Sequence, residues 1–141
     1  MRSAGRGRRG RSLGLDDRDT LRLVRRVRAG FPFSHLTRFQ KTTGLSWDKI
    51  AHFVQIPRRT LVRRECEGRL RPDESDRVLR ASTVFDKAVD LFEGNPDAAR
   101  KWLQTPQPGL GGEIPLDFAT TEVGAREVEQ LIDRIEDGVF A

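Results

Sequence analysis

The sequence predicts an all-α protein in two parts. Three observations carry that expectation. Apolar residues recur at spacings of three and four through most of the chain, no segment alternates apolar and polar residues as a strand would, and glycine or proline punctuates the helical segments. Residues 1–14 are Arg, Gly and Ser with little to bury, and read as a disordered basic tail.

From Asp16, "DDRDTLRLVRRVRAG" has acids at its start, a stripe of Leu21, Val24 and Val27, and Gly30 as a stop. After Phe31-Pro32, "FSHLTRFQKTTG" continues with Leu36 and Phe39 to Gly44. Ser46 then caps "WDKIAHFV", whose Trp47, Ile50, Ala51 and Val54 form one apolar face. Gln55 and Ile56 make a turn into Pro57, which suits a first helical position, and a helix from Arg58 to Glu67 stops at Gly68. The longest candidate, about 73–93, carries Val78, Ala81, Phe85, Ala88 and Phe92. Asn95 and Pro96 open "DAARKWLQ", in which Trp102 and Leu103 read as core, and a loop at 105–118 holds prolines and glycines. A final helix in "EVGAREVEQLIDRIEDG" is expected to bury Val128, Leu131, Ile132 and Ile135.

Charge is divided along the chain. Residues 1–71 carry 19 Lys and Arg against 6 Asp and Glu, whereas residues 72–141 carry 7 against 15. Such a split points to a polyanion as partner of the first half and a different partner for the second. No apolar run approaches the ~20 residues of a membrane span, and the basic start lacks the apolar stretch of an export signal, so the cytoplasm is expected and no membrane partner. With Cys66 as the one cysteine and His35 and His52 as the only histidines, neither an intrachain disulfide nor a structural metal is expected. No nucleophile–base pair or phosphate-cradling loop can be assembled, and "GLGG" at 109–112 lacks a strand and helix around it. No enzyme activity and no cofactor are expected.

Two short helices joined by a tight turn, the second basic on its outside, outline a helix-turn-helix: 46–54, a turn at 55–57, and a recognition helix at 58–67. Leu61 faces inward, with Val62 or Cys66 near that boundary, and Cys66 reads as a small packing residue. Arg58, Arg59, Thr60, Arg63 and Arg64 fall outside it and are the candidate DNA-binding residues. Arginine bonds two acceptors on guanine or clamps a phosphate, and a helix N-terminus with Thr60 suits a phosphate oxygen. Two-fold operators require paired half-sites, so a homodimer is expected, with helix 16–29 and the 73–93 helix as candidate interface elements.

The second half resembles the C-terminal domain of antitoxins of RES–Xre toxin–antitoxin systems, the Xre/MbcA/ParS group. The likeness rests on Ala99, Arg100, Trp102 and Leu103, on Pro106, Leu110 and Gly112, and on Pro115, Leu116 and Asp117. It continues through Thr121, Gly124, Ala125 and Val128 to Gly138 and Val139. Upstream, "RAGFPFSHLTRFQKTTGLSWDKIAHFVQIPRRTL" and "GRLRPDESDRVLRAS" resemble the Xre-like half of the same proteins, so the likeness spans about residues 20–141. It implies an Xre-like helix-turn-helix domain at 15–80 and a toxin-binding domain at 81–141.

The resemblance also implies two partners. One is operator DNA, whose occupation represses the toxin–antitoxin operon. The other is a cognate RES-domain toxin acting on NAD, neutralised by blocking its cleft. The chain end, Glu136, Asp137, Gly138, Val139, Phe140 and Ala141, offers acids and an apolar tip for that purpose, and Leu110 and Ile114 of the loop are further candidate toxin contacts, with local packing as their alternative. A stand-alone helix-turn-helix repressor whose acidic half dimerises or binds an effector is the alternative for the whole chain. Many members of the group have glycine where Gln55 stands, so a left-handed backbone there costs this sequence ~1 kcal/mol.

Overall fold

The computed structural model describes residues 9–15 and 17–138. Among these are eight α-helices: α1 (Thr20–Ala29), α2 (Phe33–Thr43), α3 (Trp47–Val54), α4 (Arg58–Glu67), α5 (Pro72–Leu91), α6 (Pro96–Leu103), α7 (Pro115–Phe118) and α8 (Glu122–Glu136). Three isolated bridge pairs occur among the described residues and no strand, and no described helix is long and apolar enough to cross a membrane.

The long helix is the centre of the molecule. Pro72 at its first position and the Glu74 side chain, which accepts a hydrogen bond from the Arg71 backbone N–H at 2.8 Å, start α5. It packs against α1, α2, α3, α6 and α8, so its apolar stripe of Val78, Ala81, Phe85 and Ala88 is buried and polar residues are enclosed with it. Those polar groups find partners. Ser75 accepts from the Phe31 N–H and donates to the Arg71 carbonyl, both at 2.8 Å, and Ser82 donates to the Leu79 carbonyl at 2.7 Å. Phe92 lies just past the helix and is half-buried. A helix wrapped by its own chain presents little surface to a second copy, which corrects the expectation that 73–93 forms a dimer face.

α1 also differs from its expected face. Asp19 caps it through the Leu21 and Arg22 N–H groups, and it meets the rest of the fold chiefly along α5. Leu23 is buried and Val27 half-buried, while Leu21 and Val24 are 58% and 38% exposed. The stretch "TLRLVRRV" supports both stripes at helical spacing, and packing on a single neighbour selects the narrower one.

Part of the segment expected to be a disordered tail is folded. Residues 1–8 lie outside the described residues, but Arg11–Leu13 form a 3-10 turn lying over α2 and α5. Leu13 is fully buried, its carbonyl meets His35 Nδ1 at 2.8 Å, and Arg11 pairs with Asp90 at 2.8 Å. Leu13, the Arg11–Asp90 pair and the His35 contact help anchor a segment that composition assigns to solvent.

In the second half, Asn95 caps α6 by accepting from the Asp97 and Ala98 N–H groups, and Ala99 and Leu103 are fully buried with Trp102 packed beside them. The punctuated loop contains more structure than its prolines and glycines imply: a 3-10 turn at Pro108–Leu110, the paired backbones of Gln107 and Glu113, and α7. Thr121 caps α8 through the Gly124 N–H at 3.0 Å. Val128, Leu131 and Ile132 are buried, but Ile135, expected with them, is 39% exposed.

Candidate nucleic-acid interface

The α3–turn–α4 unit is assembled by local chemistry. Ser46 caps α3 by accepting from the Lys49 N–H at 3.2 Å, and Ile50, Ala51, Phe53 and Val54 are buried. Gln55 adopts the left-handed conformation, φ 57° and ψ 45°, and its side-chain amide donates to the His52 carbonyl at 2.6 Å. Ile56 then plugs the core, and Pro57 stands at the N-cap of α4, one position before the expected one. Gly68 ends the helix in the left-handed conformation.

The inner face of α4 is Leu61 with Arg64, not Leu61 with Val62 or Cys66. Arg64 is 4% exposed; its Nε donates to Glu74 Oε1 at 2.8 Å and its Nη1 to Glu67 Oε1 at 3.2 Å. Burial pushes the Glu74 carboxyl up, but the Arg64 and Arg71 hydrogen bonds outweigh it and hold the group below the usual carboxylate range. Arg64 therefore ties the end of α4 to the start of α5, and as a candidate DNA contact it is corrected. Its spacing from Leu61 is already that of an inward pair; what the sequence conceals is the acid ten residues on.

The outer face presents Arg59, Val62, Arg63 and Cys66, all exposed. Arg59 and Arg63 make no ion pair among the described residues. Arg58 pairs with Asp48 of α3 at 3.0 Å, an exposed contact weak enough to yield to a phosphate, and Thr60 is half-buried toward one flank. Val62, one of two residues expected near the inner boundary, lies on the outer face instead.

The second half supports this unit from behind. Arg77 of α5 donates to the Val54 carbonyl at 3.1 Å and Arg100 of α6 to the Thr43 carbonyl at 3.2 Å, so two arginines satisfy the C-terminal ends of α3 and α2. His52 meets Asp117 of α7 at 2.9 Å, and Lys49 bonds to Gln104.

Of the candidate toxin contacts, Leu110 is 6% exposed and belongs to the core, and Ile114 is half-buried against it. Their packing alternative describes Leu110 fully. Glu136 is half-buried, Asp137 and Gly138 are exposed at the end of α8, and Val139, Phe140 and Ala141 lie outside the described residues.

These features define a helix-turn-helix protein whose basic second helix is braced by a second helical unit packed around a shared central helix. Residues 22–82 match the family described as the antitoxin Xre-like helix-turn-helix domain, and residues 87–138 match the antitoxin Xre/MbcA/ParS C-terminal toxin-binding domain. The chain is similar to the Antitoxin Xre of Yersinia enterocolitica, 38% identical over 93% of this chain and 89% of the relative. It is similar also to the Antitoxin Xre of Photorhabdus laumondii, 36% identical over 79% and 76% respectively. A Sphingobium protein named Prs ADP-ribosylating antitoxin is 30% identical over 51% of this chain and 50% of its own length. The chain belongs to the Xre family of antitoxins, with a helix-turn-helix domain and a toxin-binding domain.

Proposed function

We propose that this antitoxin neutralises a RES-domain toxin acting on NAD by blocking the toxin's cleft, and that as a homodimer it binds operator DNA and represses its own operon. The observation that carries the DNA part is the outer face of α4, where Arg59 and Arg63 stand exposed with no ion pair among the described residues, beside Arg58 and Thr60. Exposed Leu21 and Val24 on α1 suit a second copy at the dimer face. The relative named for an ADP-ribosylating system supports a toxin that uses NAD as its donor. Glu136 and Asp137 reach solvent at the end of α8, where they can meet cationic groups of a phosphate-binding cleft with Gly138, Val139, Phe140 and Ala141 following. No bond-making step is assigned to the antitoxin itself.

Truncation after Ile135 tests the cleft-blocking part. Ile135 is partly exposed and residues 136–138 add little to the core, so the shortened protein is expected to fold and bind operator while failing to rescue growth against the toxin. Full rescue by the truncated protein assigns inhibition to another surface, the 105–118 loop first.

A further inference from the structure

Val62 is 54% exposed on the outer face of α4. A single apolar side chain on a surface is ordinary; its position here is not. At 3.6 residues per turn the outward face of α4 runs from Val62 through Arg59 and Cys66 to Arg63, with Leu61 and Arg64 opposite. Val62 thus stands in the strip that meets the base edges if α4 enters the major groove. That groove displays donors and acceptors on every base pair and one apolar group, the C5-methyl of thymine.

We propose that Val62 contacts the C5-methyl of a thymine in the operator half-site and so sets a base preference that the arginines do not. The inference rests on the reading of α4 as the recognition helix. Val62 lies three residues from Arg59, about 4.5 Å along the helix axis, of the order of one ~3.4 Å base-pair step. The two side chains therefore address neighbouring base pairs, an arginine reading acceptors and the valine reading the methyl. The cleft beside Val62, lined by Phe33, Trp47, Arg58, Leu61 and Glu65, holds about 70 Å³. That is far below the ~300 Å³ of a small-molecule site, so a bound metabolite is not its occupant.

The test uses the full-length protein and duplexes it enriches from a random pool. Each thymine of the enriched sequence is replaced in turn by deoxyuridine, which removes only the methyl. One position per half-site is expected to weaken wild-type binding about fourfold, the worth of one buried methyl. Val62→Ala is expected to bind the parent duplex weaker by a similar factor, to lose nothing further on the uracil duplex, and to keep the wild-type melting temperature. A flat uracil scan with the wild type, or equal losses for wild type and Val62→Ala, overturns the inference. Arg59→Ala separates the two levels. If it weakens operator binding while the scan is flat, only the role of Val62 falls; if it has no effect, or if no duplex is enriched, the recognition-helix reading falls and takes the inference with it.

Discussion

The basic and acidic halves carry charge of opposite sign and dispose of it in opposite ways. On α4, one arginine turns inward to Glu74, one meets Asp48, and Arg59 and Arg63 are left facing outward with no ion pair among the described residues. In the acidic half the carboxylates are largely engaged within the molecule. Asp90 pairs with Arg11, Asp97 with Arg100, Asp117 with His52, Glu122 with Arg80 and Arg126, and Asp133 with Lys87. The exposed pairs among them, Asp117–His52 and Glu122–Arg126, contribute little stability each, but together the pairs blunt the field that the sequence total advertises. The positive excess is spread over the first half: α1 carries Arg22, Arg25, Arg26 and Arg28 with no acid, while α4 sets four arginines against Glu65 and Glu67 and leaves Arg59 and Arg63 facing outward. Asp90 and Asp117 tie the second half to the first, whereas Asp97, Glu122 and Asp133 pair within the second half itself.

The largest expected effect tests whether the two halves stand or fall together. Gly124 sits in the first turn of α8, where a Cβ would come within 1.7 Å of the Phe118 carbonyl oxygen. Backbone cannot swing aside as a flexible side chain can, so Gly124→Ala must push α7 from α8 and is expected to cost ~3 kcal/mol or more. The buried residues form one continuous cluster through both halves. The loss should appear as a single thermal transition at lower temperature, with operator binding and toxin neutralisation failing over the same range. Two separate transitions, the first one leaving operator binding intact, would show that the halves fold independently.

Asp86 lies on the seam, on α5 beneath the Arg11–Leu13 turn, where the Ser12 N–H reaches its carboxylate at 3.5 Å. Burial raises its pKa from 3.8 to about 6, against the pull of the Ser12 bonds and the Arg11 charge. The folded state thus holds this proton more tightly than the unfolded chain does. Its contribution to stability is complete below about pH 4 and is lost as pH rises through about 6. Asp86→Asn keeps a neutral group at every pH. Its stability relative to wild type is expected to rise between pH 4 and pH 7 by up to about 3 kcal/mol, the free energy of that net shift. Urea midpoints of both proteins across that range are the measurement, and a gap that does not change with pH would mean that Asp86 stays ionised throughout.

Helix positions, caps and the two-part division were legible in the sequence because each rests on local chemistry: Ser46 and Asn95 as caps, Gly44 and Gly68 as stops, and periodic apolar faces. The family motifs were legible for a related reason. Ala99, Leu103, Leu116, Ala125 and Val128 are buried, and Gly124 lies at a backbone crossing, so the pattern records how the domain packs. Contact residues were harder to read. Arg64 leaves its expected outer face because a distant acid, Glu74, makes burial of a guanidinium favourable, and nothing within one turn of α4 announces that partner. Leu110 resembled a free loop residue because the fold that encloses it is made by segments on either side of the loop.

The smallest expected effect concerns a second position at which the family pattern favours glycine. Gln55 occupies it with φ 57°, inside the left-handed region. A side chain there costs about 1–2 kcal/mol, and the bond from its amide to the His52 carbonyl at 2.6 Å returns part of that. Gln55→Gly removes the steric cost, forfeits that bond and adds freedom to the unfolded chain, for a net gain expected near 0.5 kcal/mol. The turn keeps its path, so α4 keeps its angle to α3 and operator affinity should not change. Denaturant midpoints and operator titrations of the variant check both halves of that expectation. The contrast with Gly124 gives the result its meaning. At Gly124 glycine is required for space, and no other residue fits against the Phe118 carbonyl; at Gln55 it is favoured only for a torsion angle, which another residue can adopt at a modest cost. Destabilisation by Gln55→Gly would mean that the amide bond to His52 more than offsets the torsional cost, making glutamine the better residue for this turn.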